Sequence, residues 1–539
     1  MTVDGRRLPP RSIVGWLSVL CVVLAGCGDR AALRDAVGQA EDTGTHGIEW
    51  YAGTVDSAFE LARSQGTPVL LYWGADWCPP CSRLKASIFN RREFIERTRL
   101  FVPVSLDGDD AGAQKLGENF DVYGYPTMVV LSPHGVEIMR LGGALYLEQY
   151  LEAMDVALAA TRPVAAAYEA ALHGSATPAD FRLLAYYSWG QDRERLVPEE
   201  HLPDALRDLQ GRIPDELAVE RALLFIHYLG AFGMAAFDED REPTLPPEER
   251  HAAQEWMLEV LQDPALAAAV QYYVVYSAHW LLPMVAQPDD EGRANLERAW
   301  EAALERIRKA PETSPADRVG TYFGEICIVR ATGPEAPLPG SLVRRARRAV
   351  LTAARDTEDP YARLALFSSA WTVLHQVGHD DQTWDYVLNE VDQSHRPETV
   401  MRAIGSAFEH AQDAENALHW RERAWDSATG PTTRFEEGLR LVRTRLALTP
   451  EESAAIEDTT IEIFRQLSSE PDAFFHRVTR AMGRLETALH EWNAEGAHDD
   501  SLARMRAEVL KLCATIPAGA QSRTNCEAFL ASLAGDAAL

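Results

Sequence analysis

Between Gly47 and Ala160 the chain switches repeatedly between two apolar periodicities. "TVDSAFELARSQG" repeats at helical spacing, with Phe59 and Ala62 on one face. "PVLLYW" is a short continuous apolar run, the pattern of a central strand buried on both sheet faces. A helix begins near Cys78, followed by a strand in "LFVPVSLD", a helix in "DAGAQKLGENFDV" and a strand in "TMVVLS". Pro133 to Gly135 make a turn into the strand "VEIMRL", and "LYLEQYLEAMDVALAA" closes the unit as a helix. The order helix–strand–helix–strand–helix–strand–strand–helix predicts one α/β unit over 47–160. Residues 162–539 carry helical periodicity almost throughout and predict a large all-α region. Pro- and Gly-rich breaks in "REPTLPPEER" and "ATGPEAPLPGS" mark sub-boundaries near 238–250 and 331–341. Leu266 to Ala286 lacks charges and is long enough to span a bilayer. It also holds three Tyr, Gln271, His279 and Pro283, and reads instead as a buried core helix.

Within the helical region, "GSAFEHAQDAENALHWRERAW" places Gly405, Phe408, Ala417 and Ala424 at spacings that resemble a tetratricopeptide helix pair. Small residues at such places let antiparallel helices approach closely. Arg421 departs from the pattern, standing where a large apolar residue is usual. "ALFSSAWTVLHQVGHDDQTWDYVLNEV" reads as a second, more degenerate unit; any antiparallel helical hairpin gives a similar pattern.

The chain has 539 residues, too many for one core, with 46% hydrophobic and 25% charged residues. A net charge of -29 argues against a nucleic-acid partner, because phosphate binding needs a basic surface. The N-terminus sets the compartment. Arg6, Arg7 and Arg11 precede the apolar stretch Ile13 to Leu24, and Leu24-Ala25-Gly26-Cys27 follows. A charged n-region, apolar h-region and small-residue site make a secretory signal. Ending in Cys, it resembles the lipobox of bacterial lipoproteins. That resemblance implies a signal peptide over 1–26, lipidation of Cys27, a tether over 27–46 and an envelope location facing the periplasm. An ordinary signal peptide or an uncleaved anchor helix are the alternatives.

The seven cysteines sort by place. Cys21 leaves with the signal and Cys27 carries lipid. Cys327 reads as a buried small hydrophobe. Cys513 and Cys526 flank the turn-like "ATIPAGAQSRTN" and are expected to form a structural disulfide in an oxidising compartment. Cys78 and Cys81 form a Cys-x-x-Cys pair with three candidate uses. A zinc site needs further ligands, and neither a second Cys-x-x-Cys nor a nearby His pair is present. A static disulfide over so small a loop constrains the unfolded chain little. A redox pair explains the placement. At a helix start, free N–H groups and the positive helix end favour a Cys78 thiolate. Pro79 fits the first helical turn without loss of a hydrogen bond. Cys81, one turn on, can resolve a mixed disulfide on Cys78. On this reading Cys78 is the exposed nucleophile and Cys81 the buried resolver.

"WGADWCPPC" followed by "YGYPT" resembles the thioredoxin superfamily over about Glu49 to Ala160. Within it, "PVLLYWGADWCPPCSRLKASIFN" and "VSLDGDD" are most similar to the C-terminal periplasmic domain of the membrane thiol:disulfide interchange reductase. The resemblance implies a thioredoxin-like fold, a cis bond before Pro126, and an apolar docking surface formed by Trp77, Tyr125 and Pro126. It implies a lipid-anchored thiol–disulfide oxidoreductase that reduces or isomerises rather than oxidises, with no cofactor. Its partners are protein dithiol or disulfide substrates and a thiol–disulfide electron partner. One position departs: the buried acid common six residues before the first cysteine is Tyr72 here, while Asp76 lies in the loop and reads as solvated. The competing reading is a helical scaffold lipoprotein whose thioredoxin-like unit is a redox-inactive binding module. Only a short junction containing Pro163 separates the α/β unit from the next helical pattern. The helical region is therefore expected to dock through "YLEQYLEAMDVALAA" and restrict access to Cys78.

Overall fold

Four strands and five helices make the α/β domain. Val69–Gly74 (β1) has all six residues buried and occupies the sheet interior, as its unbroken apolar run requires. It pairs parallel with Val102–Asp107 (β2) and antiparallel with Thr127–Leu131 (β3), which pairs antiparallel with Glu137–Gly142 (β4). The sheet order is β2-β1-β3-β4. The turn between β3 and β4 uses Gly135 at φ 82°, a left-handed conformation that glycine adopts freely. Val55–Gln65 (α1) starts at Thr54, whose hydroxyl accepts the Ser57 N–H (3.2 Å), and buries Ala58 and Ala62. Pro79–Leu84 (α2) begins directly after Cys78. The single helix expected there is interrupted. After α2 the chain makes a π-helical turn over Lys85–Phe89, extends at Arg91, and restarts as Arg92–Thr98 (α3). The turn drives Ile88 and Phe89 into the core. Ala111–Asn119 (α4) and Leu147–Ala159 (α5) complete the domain.

The computed structural model describes residues 47–532, apart from 144, 193–194, 239–243, 332, 334–335, 469 and 471. The expected signal segment 1–26, Cys27 and the tether 27–46 lie outside the described residues. Residues beyond α5 are helical up to the last described helix, Gln521–Ser532. The apolar segment from Leu266 is not one core helix. It is cut at Val270 and Ser277 into Pro264–Ala269, Gln271–Tyr276 and Ala278–Val285. The Trp300 indole N–H takes up the Val274 carbonyl near the second break (2.8 Å). The segment is nonetheless largely buried, and among the described residues no helix is long and apolar enough to cross a membrane.

Two apolar cores flank the sheet. One, around Ala62, Val69, Leu71, Trp73 and Val129, is confined to the α/β domain. The other runs without a break from Tyr72, Phe89, Phe94 and Tyr150 into Val164, Phe181 and Trp189 and on to Ile328. The expected docking of the helical region at α5 is therefore one side of a shared core. Two further clusters, Val319 to Ala424 and Phe435 to Phe529, contain helical-region residues alone. The "GSAFEHAQDAENALHWRERAW" segment forms an antiparallel hairpin, Pro397–His410 and Ala414–Ser427.

Candidate active site

Cys78 is the residue that caps α2. Its backbone is extended (φ -86°, ψ 111°), and the Cys81 N–H donates to its sulfur at 3.2 Å. Both follow from the sequence: Pro79 and Pro80 fit the first turn, so the preceding residue becomes the cap. The two sulfurs are joined as a disulfide, with Cα atoms 5.2 Å apart. Opposite them, the Tyr125–Pro126 peptide bond is cis, and the Tyr125 carbonyl lies 3.7 Å from Cys78 Sγ. The Trp77 and Tyr125 rings are 6.2 Å apart and pack on Ala75, Cys78 and Cys81. The structure thus gathers Trp77, Cys78, Cys81, Tyr125 and Pro126 at one edge of the domain, where β1 ends and β3 begins. The other cysteine pair, Cys513–Cys526, is also joined, at a Cα separation of 5.7 Å, far along the helical region. Cys327 is free and buried.

Residues 55–158 match the family model of a thioredoxin-like domain. These residues are a thioredoxin-like domain. A relative from Pseudomonas fluorescens, the thiol:disulfide interchange protein DsbD, is 32% identical over 102 residues. That match covers 18% of this chain and 18% of the relative, so the chain spans under a fifth of the relative's length. A solved structure described as DsbH oxidoreductase aligns with 24% of this chain and 99% of its own, at 21% identity and a TM-score of 0.20.

The surroundings of the thioredoxin-like pair correct one expectation. Cys78 is not an exposed nucleophile: it is 3% exposed and Cys81 fully buried. The reason is the helical region: the Pro360–Val377 helix packs along α2, and residues on both sides of it in the chain lie across this edge. Thr399, in the Pro397–His410 helix, donates its hydroxyl to the Trp77 carbonyl (3.3 Å). The Arg477 guanidinium sits 4.2 Å from the Trp77 ring centroid and 5.5 Å from that of Tyr125, a cation–π arrangement. It also donates to the Gly108 carbonyl (3.1 Å) and to Glu436 (2.6 Å). The Gln191 amide reaches the Pro126 carbonyl (3.3 Å). Asp76 keeps about half of its side chain in solvent, as expected of a loop residue, and is also ion-paired with Lys85. Burial pushes its pKa up, but the Lys85 charge and hydrogen bond outweigh this and hold it below the usual carboxylate range.

Tyr72 does not replace the missing acid. It is 2% exposed, its hydroxyl has no hydrogen-bond partner, and burial holds its phenol far above the ordinary range. Its ring packs on Trp50 and Phe89 as part of the core.

Two titratable groups sit where α4 and the end of β2 meet the C-terminal helices. Asp109 accepts the Thr433 N–H (2.8 Å) and hydroxyl (2.7 Å); burial raises its pKa to about 6 against the opposing Arg477 charge. His476 faces Gln114 Oε1 (3.2 Å) and the Val122 carbonyl; burial, then the Arg480 charge, lowers its imidazole to about 4. Sequence reading passed over Gln191, Thr399, Thr433 and Arg477. The available signal was polar residues interleaved with an apolar helix face, as in "PTTRFEEGLRLV", where Thr432, Thr433, Glu436 and Glu437 are all buried beside Phe435 and Leu439.

Proposed function

We propose that the protein is a thiol–disulfide oxidoreductase of the bacterial envelope. The observation that carries this reading is the disulfide at the first turn of α2, facing a cis Tyr125–Pro126 bond, within a thioredoxin-like domain. Similarity to a protein named for thiol:disulfide interchange supports it. In the reducing direction, a donor thiolate attacks Cys78, the Cys78–Cys81 bond breaks, and Cys81 leaves as a thiolate. A second donor thiol then releases Cys78, and two electrons have passed to the pair. The Cys78 thiolate attacks a substrate disulfide, and Cys81 resolves the mixed disulfide. Trp77, Tyr125 and Pro126 form the docking surface. Cys27 carries the lipid anchor, and the reducing or isomerising direction is favoured by the interchange-type relative.

The test is reduction of a protein disulfide such as insulin by the full chain. Cys78→Ser should abolish turnover, and Cys81→Ser should accumulate mixed disulfides on Cys78. Loss of labelled palmitate incorporation in Cys27→Ala checks the anchor. A second reading, an envelope scaffold with a redox-inactive thioredoxin-like module, draws on the burial of both sulfurs. It predicts no turnover in either direction and unchanged partner capture in the Cys78→Ser chain.

A further inference from the structure

Resting on the oxidoreductase reading, we propose that the C-terminal helices, residues 397–529, are a gate. Closed, they hold the thioredoxin-like edge and bar protein thiols from Cys78; opened, they release it.

Disulfide exchange requires a third sulfur to approach Cys78 from outside, in line with the bond being broken. At 3% and 0% exposure neither sulfur offers that approach. What covers them is of a different kind from the rest of the contact between domain and helical region. Around α5 the two share one apolar core. Pro360–Val377 packs along α2, whose Leu84 belongs to that core, but around Cys78 itself the described residues share none: the apolar clusters of the C-terminal helices contain no residue of the α/β domain, and the cluster around Cys78 contains no residue of the helices. The contact there is polar, through Thr399 to Trp77, Thr433 to Asp109, and Arg477 to Gly108. A contact of that kind can be exchanged for water without exposing a core.

The closed contact is also incompletely satisfied. The Trp77 indole N–H is buried without a hydrogen-bond partner, a desolvation cost of closure that opening relieves. The helices stack largely on their neighbours along the chain, so small bends between successive pairs can add up to an opening. Gly430, at φ 85°, brings its backbone close to the edge: a Cβ there would lie 2.8 Å from an Asp109 carboxylate oxygen.

The test is the rate at which dithiothreitol reduces Cys78–Cys81 in the oxidised full chain. It is read by alkylation and mass spectrometry, which separates this pair from Cys513–Cys526. A dithiothreitol thiolate attacks Cys78, Cys81 leaves, and the second thiolate closes the oxidised reagent. Thr433→Val removes one hydrogen bond to a buried carboxylate and should accelerate reduction about ten- to a hundredfold. Thr433→Val/Thr399→Val should be faster still. Reduction of Cys513–Cys526, unchanged, certifies that the chain stays folded; if it accelerates equally, Gly430→Ala replaces the pair of variants. Equal Cys78–Cys81 rates in wild type and in folded variants overturn the gate. Faster reduction without any gain in insulin turnover keeps the gate and overturns the oxidoreductase reading.

Discussion

Arg421 offers a measurable test of how the repeat-like hairpin is held together. It stands where a large apolar side chain is usual, and the structure buries it to 5% exposure. Its guanidinium donates to Glu409 (2.7 Å), the Ser406 hydroxyl (2.9 Å), the Arg402 carbonyl (3.2 Å) and the Thr444 hydroxyl (3.2 Å). Its stem lies against Gly405, where an added Cβ would meet Arg421 Cδ at 3.3 Å. Removing one partner of a buried ion pair costs roughly 3–5 kcal/mol. Glu409 is 30% exposed, so water can relieve part of the stranded charge, and Arg421→Ala should cost about 3 kcal/mol. Arg421→Met keeps the packed stem and should cost less. Gly405→Ala gains about 0.5–1 kcal/mol of helix propensity, but only where the stem is absent. Alone it should be neutral or destabilising; in the Arg421→Ala background it should stabilise by about 1 kcal/mol. Because a chain of this size does not unfold in two states, the readout is hydrogen exchange of the Pro397–Ser427 amides. A loss below about 1 kcal/mol in Arg421→Ala, or an equal effect of Gly405→Ala in both backgrounds, would show that Arg421 does not hold the hairpin.

Cys526→Ala opens a loop closed over a separation of 13 residues and should lower the stability of the Pro431–Ser532 helices by about 3 kcal/mol, seen as faster exchange there and not in the sheet. The His476 imidazole is lowered from 6.5 to about 4, so its contribution to the closed contact is present above pH 6.5 and is lost as pH falls toward 4. Asp109 runs the other way: its pKa is raised from 3.8 to about 6, so its contribution is full below 3.8 and is lost as pH rises through 6. His476→Gln should therefore flatten the acid-side loss of hydrogen-exchange protection in the Arg477–Trp492 amides between pH 6.5 and 4, and Asp109→Asn the opposing loss; a wild-type pH profile in either variant refutes that assignment. The continuous core across the junction predicts that limited proteolysis spares Thr161 to Ala165; first cleavage there with separation of the halves on a sizing column contradicts it.

The α/β domain was legible because its signals are local. An apolar run such as "VLLYW" reports burial on two faces, and Cys78 before two prolines reports a helix cap, whatever the rest of the chain does. Restricted access to Cys78 was expected, but the residues that cover it were not legible, for the opposite reason. Thr399, Thr433 and Arg477 lie more than 300 positions from the α/β-domain residues they touch. Along its own helix each looks like an ordinary solvated residue. The breaks at Val270 and Ser277 were hidden similarly: the composition of the segment reports burial, and a tertiary contact from Trp300 takes up a carbonyl beside one of the breaks.

The cations at the redox edge also show why a polar contact suits this place. The chain has four lysines among its 52 basic residues, so almost every buried cation is arginine. A guanidinium is weakly hydrated, spreads its charge over a plane, and bonds a carboxylate or carbonyl while stacking on a ring. Arg477 does all three at once, with Glu436, Gly108 and Trp77. Its charge persists at every working pH, so water can replace those partners without a change in protonation. A leucine at position 477 would instead bury Trp77 in apolar contact and fuse the edge to the helices, as the α5 face is fused. Arg477→Leu combined with Glu436→Gln, so that no buried carboxylate loses its cation, is therefore expected to slow reduction of Cys78–Cys81 where Thr433→Val speeds it. If both variants accelerate reduction alike, the edge is held by packing alone, and the character of the contact has no bearing on access to Cys78.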